Sequence, residues 1–274
     1  MRIVVLTTLS RRGAVIIEAL ARAGIRIEAI IVDRDRPAGR DQASRTIRML
    51  RSRGFAETSR RLVRRLRRRF GKHIDTGREA RAFGAVAETV REVADANAPE
   101  CERLLKALAP DVLVLGPSRI LRPHILNIPR VGVLNPHPGL LPDYRGVDVI
   151  PWALYNGDPL GVTIHFVDQG IDTGDIVAQR RFEVRLGDTL ASLRRRADAI
   201  MGELIAEVVS QLAAFGHVER RPQEKGAGHL YSLMPLGLKE EVKAKLQARQ
   251  SGAERLHLID PVRDDHGAPR RTSR

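Results

Sequence analysis

Five short apolar runs recur along this chain, each halted by glycine, proline or small polar residues. They are RIVVLT at 2–7, IRIEAIIV at 25–32, DVLVLG at 111–116, the group Val131, Val133 and Leu134, and VTIHFV at 162–167. Runs of this length bounded by turn residues predict strands buried on both faces, the mark of a parallel sheet. Between the first two, Val15, Ile16, Ile17, Leu20 and Ala21 recur at helical spacing. The expected fold is therefore α/β, a doubly wound, mostly parallel sheet. The turn Thr7-Thr8-Leu9-Ser10-Arg11-Arg12-Gly13 lacks the glycine-rich phosphate cradle of a dinucleotide fold, so neither NAD nor ATP is expected there.

The stretch from Val131 to Ile176 concentrates the polar chemistry. Val131, Val133 and Leu134 predict a strand broken at once by Asn135-Pro136-His137-Pro138-Gly139, which leaves an amide and an imidazole just past its end. The run ending at Val167 feeds Asp168-Gln169-Gly170-Ile171-Asp172-Thr173-Gly174, a turn-rich loop carrying a carboxylate at Asp172. Ligands bind at the carboxyl edge of such sheets. Asn, His and Asp at adjacent strand ends suit acyl transfer: an oxyanion donor, a proton acceptor, and an acid that orients the imidazole.

These residues resemble the folate-dependent formyltransferases, whose motif is Asn-x-His, then Leu-Leu-Pro and, later, Asp-x-Gly. Here they are Asn135, His137, Leu140-Leu141-Pro142 and Asp172-Thr173-Gly174. Tyr144-Arg145-Gly146, Asn156-Gly157-Asp158, Gly161-Val162-Thr163 and Gly170-Ile171-Asp172 match as well, and the resemblance runs over roughly residues 1 to 215. One departure is Gly139, where the family more often has Ser. The resemblance implies 10-formyltetrahydrofolate as formyl donor, with Asn135, His137 and Asp172 catalytic. It also implies a folate pocket at Ser118, Arg119, Ile120 and Leu121 and at Asp168, Gly170 and Gly174. The residues alone give plainer readings for several of these: Ile120 and Leu121 as core, Asp168 as a turn former, and His165 as a structural histidine.

The chain is expected to divide into a formyltransferase catalytic domain at 1–215, holding a basic helical insertion at 34–73, and a short C-terminal extension at 216–274 whose last part, 260–274, is disordered. Net charge is +14, but residues 34–73 hold 15 Lys or Arg against three acids, a local excess of +12 that leaves only about +2 elsewhere. Leu62, Val63, Leu66 and Phe70 make an apolar stripe among arginines, open to three readings: a solvated face, an RNA or phosphate surface, or a membrane-surface helix. Asp35 to Arg40 looks like the corresponding segment of methionyl-tRNA formyltransferases, where an insertion approaches the tRNA acceptor arm, whereas residues 216–274 do not look like the terminal barrel of that group. Pro99 to Leu108 predicts a helix, Val90 to Val93 a short strand, and a long helix runs from Asp188, as N-cap, to about Phe215. The one cysteine, Cys101, rules out an internal disulfide and predicts a buried structural thiol. No metal and no membrane span are expected, and the cytoplasm is the default compartment.

The expected function is transfer of a formyl group to a primary amine, leaning towards aminoacyl-tRNA. Alternatives are a nucleotide amino-sugar acceptor, hydrolysis of formyltetrahydrofolate, and a non-catalytic folate- or RNA-binding relative.

Overall fold

The computed structural model describes residues 1–34 and 87–250. All of the insertion at 34–73 but its first residue, and the tail 260–274, lie outside the described residues. The elements are β1 (Ile3–Thr7), α1 (Arg11–Arg22), β2 (Ile27–Asp33), β3 (Ala87–Val93), α2 (Pro99–Leu108), β4 (Val112–Leu115), α3 (Pro123–Leu126), β5 (Gly132–His137), β6 (Tyr144–Gly146), α4 (Val149–Asn156), β7 (Leu160–Phe166), β8 (Ile176–Phe182), α5 (Leu190–Phe215), β9 (His229–Tyr231) and α6 (Leu236–Gln250). Seven strands form a mostly parallel sheet in the order β3-β2-β1-β4-β5-β7-β8, which is the α/β fold expected from the apolar runs. No described helix is long and apolar enough to cross a membrane.

The described residues fall into two compact units. One comprises Met1–Ile17 and the described part of Arg26–Val131, the other Glu18–Ile25 and the described residues from Gly132 onward. In the first unit β1 pairs in parallel with β2 and β4, and β2 with β3. All four β4 side chains are buried, as are all five of β1. Each large apolar side chain so buried contributes about 1.5–3 kcal/mol relative to exposure. β3 is longer than Val90 to Val93 because it follows β2 along its whole length, from Ile27↔Ala87 to Asp33↔Val93. Helix α2 opens on Pro99, where its missing N–H costs nothing, and closes at Ala109 in a left-handed conformation. It buries Cys101, as expected.

In the second unit β5 and β7 are antiparallel, with Leu134↔Phe166, Asn135↔His165, Pro136↔Ile164 and His137↔Thr163 in register. The sequence expectation of a strand ending before Asn135 needs correction: the strand continues through His137. Proline is tolerated in a strand where its nitrogen is not needed by the ladder, and Pro136 marks no break here. A second correction concerns α5. Its N-cap is Thr189, whose hydroxyl accepts from Ser192 N at 3.1 Å while Ser192 Oγ accepts from Thr189 N at 2.8 Å. Asp188 instead receives both terminal nitrogens of Arg196, at 2.6 and 2.9 Å. Beyond α5, β9 pairs with β6, Arg221 bridges to Ile176, and α6 buries Val242 and Leu246.

Candidate active site

The ladder between β5 and β7 builds the site by a simple periodicity. Side chains alternate across a strand, so Asn135 and His137 share one face and meet His165 and Thr163 opposite them, while Leu134, Pro136, Ile164 and Phe166 take the other. Burying these polar groups is costly unless each finds a partner. They do. His137 and His165 are 3% and 1% exposed. His137 Nε2–H donates to the Tyr144 carbonyl at 2.7 Å, which leaves Nδ1 facing Asp172 Oδ2 at 3.4 Å. His165 Nδ1–H donates to the Phe166 carbonyl at 2.7 Å, so Nε2 of the neutral ring accepts from Asn135 Nδ2 at 3.0 Å.

Asp172 closes the group. It sits at φ 54°, in the left-handed region, at the tip of the loop the sequence singled out. Its Oδ2 accepts from Gly146 N at 2.8 Å, and Oδ1 lies 3.4 Å from both Asn135 Nδ2 and His165 Nε2. Burial on its own would favour the neutral acid, but the imidazoles of His137 and His165 and the Gly146 N–H outweigh it. The carboxyl is held well below the usual carboxylate range.

Thr163 ties the neighbouring turn down. Its hydroxyl donates to Gly139 O at 2.7 Å and accepts from Leu141 N at 3.1 Å and Gln179 Nε2 at 3.0 Å. Gly139 is tightly seated: a Cβ there would lie 2.7 Å from Tyr144 O and 2.9 Å from His137 Nε2. The absence of a side chain at this position is thus matched to the short contact between the imidazole and the Tyr144 carbonyl.

The structure brings Asn135, His137 and Asp172 together, as the sequence predicts, and adds His165, which the sequence read as structural. The signal was present in VTIHF, where Thr163 and His165 alternate with apolar residues at a strand's period of two. The Tyr144 carbonyl and the Gly146 N–H left no such signal, because they are main-chain groups. Gln223, donating to the carbonyls of Asp172 and Gly174 at 3.1 and 2.6 Å, lies far downstream in an extension without a matching motif.

The expected folate-pocket residues divide. In the first unit, Arg119 is turned onto Asp33 through two hydrogen bonds of 2.7 and 3.0 Å and onto Asp95 at 2.8 Å. Ser118 Oγ donates to Arg119 O at 3.2 Å, and Leu121 is buried in the core. Ile120 is 71% exposed, so the core reading holds for Leu121 and fails for Ile120. In the second unit, Asp168 is a turn former: its carboxylate accepts from Gly170 N at 3.0 Å and Thr173 Oγ1 at 2.7 Å. Gly170 and Gly174 belong to the loop that Asp168 and Gln223 knit.

Comparison with known proteins agrees with the fold. The chain is 36% identical over 200 residues to a methionyl-tRNA formyltransferase of Anaeromyxobacter dehalogenans, covering 72% of this chain and 54% of that one. It spans about half the length of the curated relatives it matches. Among solved structures, a glycinamide ribonucleotide transformylase 1 from Symbiobacterium toebii superposes with a TM-score of 0.54 at 24% identity, covering 82% of this chain and 94% of that one. A sugar N-formyltransferase from a Shewanella species gives 0.54 at 14% identity, over 89% and 86%. At such identities these two speak for the fold alone. Residues 1–209 match the formyl transferase family, and they include every member of the Asn135, His137, His165 and Asp172 cluster: the chain belongs to that family.

Proposed function

We propose that the protein transfers a formyl group from 10-formyltetrahydrofolate to a primary amine, with an aminoacyl-tRNA of the methionyl type as acceptor. The observation that carries the reading is the buried face on which Asn135, His137, His165 and Asp172 converge, in a chain of the formyl transferase family. Two segments suit a reduced folate, each within its own unit. Ser118 to Leu121 offers the exposed apolar side chain of Ile120, and the loop from Asp168 to Gly174 offers a turn already held by its own hydrogen bonds.

The folate supplies the formyl carbon and takes up a proton at the nitrogen that releases it. The acceptor amine forms the new C–N bond as the old one breaks, so one proton must travel from amine to folate. His137 is suited to relay it. Its Nε2–H is committed to Tyr144, and a proton arriving at Nδ1 meets the ionised Asp172 at 3.4 Å. The Asn135 amide supplies the hydrogen-bond donor for the oxygen that gains charge, and His165 orients that amide. Asp172, ionised throughout the physiological range, favours the imidazolium.

The acceptor is argued from the methionyl-tRNA formyltransferase relative and from the +12 charge excess at 34–73, since clustered Lys and Arg provide most non-specific affinity for RNA. The experiment is formyl transfer to charged initiator tRNA and to a panel of amino-sugar nucleotides at rising salt. A variant replacing Arg64, Arg65, Arg67 and Arg68 by Ser runs alongside. Transfer to tRNA that falls steeply with salt and in the variant is expected. Brisk, salt-insensitive sugar formylation overturns the acceptor, and formate release that needs no amine overturns transfer in favour of hydrolysis.

A further inference from the structure

The main-chain groups that hold His137 and the Asp172 carboxylate both come from β6, a strand of three residues. The Tyr144 carbonyl takes the His137 Nε2–H at 2.7 Å, and the Gly146 N–H reaches Asp172 Oδ2 at 2.8 Å. Among the described residues β6 pairs with β9 in a two-stranded sheet, Tyr144↔His229, Arg145↔Leu230 and Gly146↔Tyr231. The ladder is extended by His229 N to Asp143 O at 3.1 Å and by Val147 N to Tyr231 O at 3.0 Å. Side chains reinforce it. The Tyr231 ring stacks on Tyr144, with centroids 5.0 Å apart and planes 7° from parallel, and Asn156 Nδ2 donates to both hydroxyls at 3.0 Å. Position 146 requires glycine here, since a Cβ would lie 2.2 Å from the Tyr231 carbonyl. Separately, Gln223 ties down the carbonyls of Asp172 and Gly174.

We propose that the segment following α5 is a positioning element for the active site: Tyr231, through β6, and Gln223, through the Asp172 loop, set the distances between His137 and Asp172. The inference rests on the proposed formyl transfer only for its kinetic consequence, because the geometry it describes exists with or without turnover. A strand of three residues bonded to one neighbour has little stiffness of its own. Misplacement by an ångström can cost up to ~100-fold in rate, so loosening β6 should lower kcat rather than ligand affinity.

The test uses the full chain with Tyr231→Ala, Tyr231→Phe and Gln223→Ala. Expected for Tyr231→Ala is a kcat lower by ~10-fold with KM for the folate nearly unchanged. Tyr231→Phe keeps the stack and should restore most of that loss. An arm independent of activity reads the ring nitrogens of His137 by 15N NMR: the wild type should show the Nε2–H form, and Tyr231→Ala a mixture. If Tyr231→Ala does not fold, Gln223→Ala carries the kinetic arm. Wild-type ring nitrogens and wild-type kcat in the variants that fold overturn the proposal, as does a Tyr231→Phe loss equal to that of Ala. A wild type without formyl transfer defeats the functional reading alone, and the NMR arm still decides the positioning role.

Discussion

The buried strands of the two units obey different rules. In the first unit, β1 and β4 bury Ile3, Val4, Val5, Leu6 and Val112 to Leu115 with a single polar side chain, Thr7, at the end of β1. In the second, β7 is buried throughout and β5 all but Gly132 and Asn135, yet one face of their ladder carries Asn135, His137, Thr163 and His165. The first arrangement is held by burial, which is non-directional and tolerates any apolar residue of fitting volume. The second is held by hydrogen bonds whose partners are fixed in place, and it gives up apolar burial on that face in exchange for chemistry. A strand can therefore belong to the core and to the candidate site at once, provided its two faces are assigned separately.

That contrast breaks first at the groups proposed to be catalytic. Asn135→Ala, His137→Ala and Asp172→Ala should each fold and bind a reduced folate while turnover falls by ~100 to 1000-fold, the usual cost of losing an oxyanion donor. Calorimetry for binding and initial rates for turnover check this, and near-normal rates in two of the three would remove these residues from the mechanism. The reciprocal change is Leu113→Ala in β4, which deletes a fully buried side chain and should cost about 2–5 kcal/mol of stability by urea unfolding. Turnover per folded molecule should stay that of the wild type. A loss of kcat matching that of His137→Ala would show that the two units' strands do not differ in role.

The same contrast explains what the sequence could reveal. The apolar runs of the first unit disclosed their strands directly, because uninterrupted burial leaves a residue-type signature. Asn135, His137 and Asp172 were legible through a motif of side chains. His165, read as a structural histidine, carried no sign of its partner, because only the register places it against Asn135. The guanidinium of Arg119, in the expected pocket segment, is bonded to Asp33, 86 positions away, and no local pattern announced that pairing. Long-range ion pairs and main-chain contacts such as Tyr144 O and Gly146 N carry no local pattern to read.

A smaller effect is expected at Gly139, in the turn between β5 and β6. Gly139→Ala puts a methyl group 2.7 Å from the Tyr144 carbonyl and 2.9 Å from His137 Nε2, closer than real contacts allow. The turn or the ring must give way. Overpacking of this kind costs about 1–3 kcal/mol, and the imidazole is the freer of the two neighbours, so turnover should fall by ~10-fold with a modest drop in melting temperature. Unchanged kcat with lowered stability would mean that the backbone yields and the imidazole keeps its place.

The smallest effect sharpens the comparison by setting one carboxylate against another. Asp172, partly buried, and Asp188, buried, are both held ionised, the first by imidazoles in the site, the second by Arg196, the Arg185 N–H and Ser192 at the start of α5. Burial works against ionisation at Asp188, but these donors prevail and lower its pKa to about 2 from an ordinary 3.8. A depressed carboxyl stabilises the fold fully above its unfolded value, and the gain is lost as pH falls from about 4 through 2. With Arg196 partly open to solvent, the gain is about 1–2 kcal/mol. Asp188→Asn should therefore lower the urea midpoint at pH 7, with the gap to wild type closing as pH falls below 4, while kcat is untouched. Asp172→Asn should do the reverse at neutral pH, cutting turnover far more than stability. A pH-independent gap for Asp188→Asn would mean that its contribution lies in packing and hydrogen bonding rather than in charge.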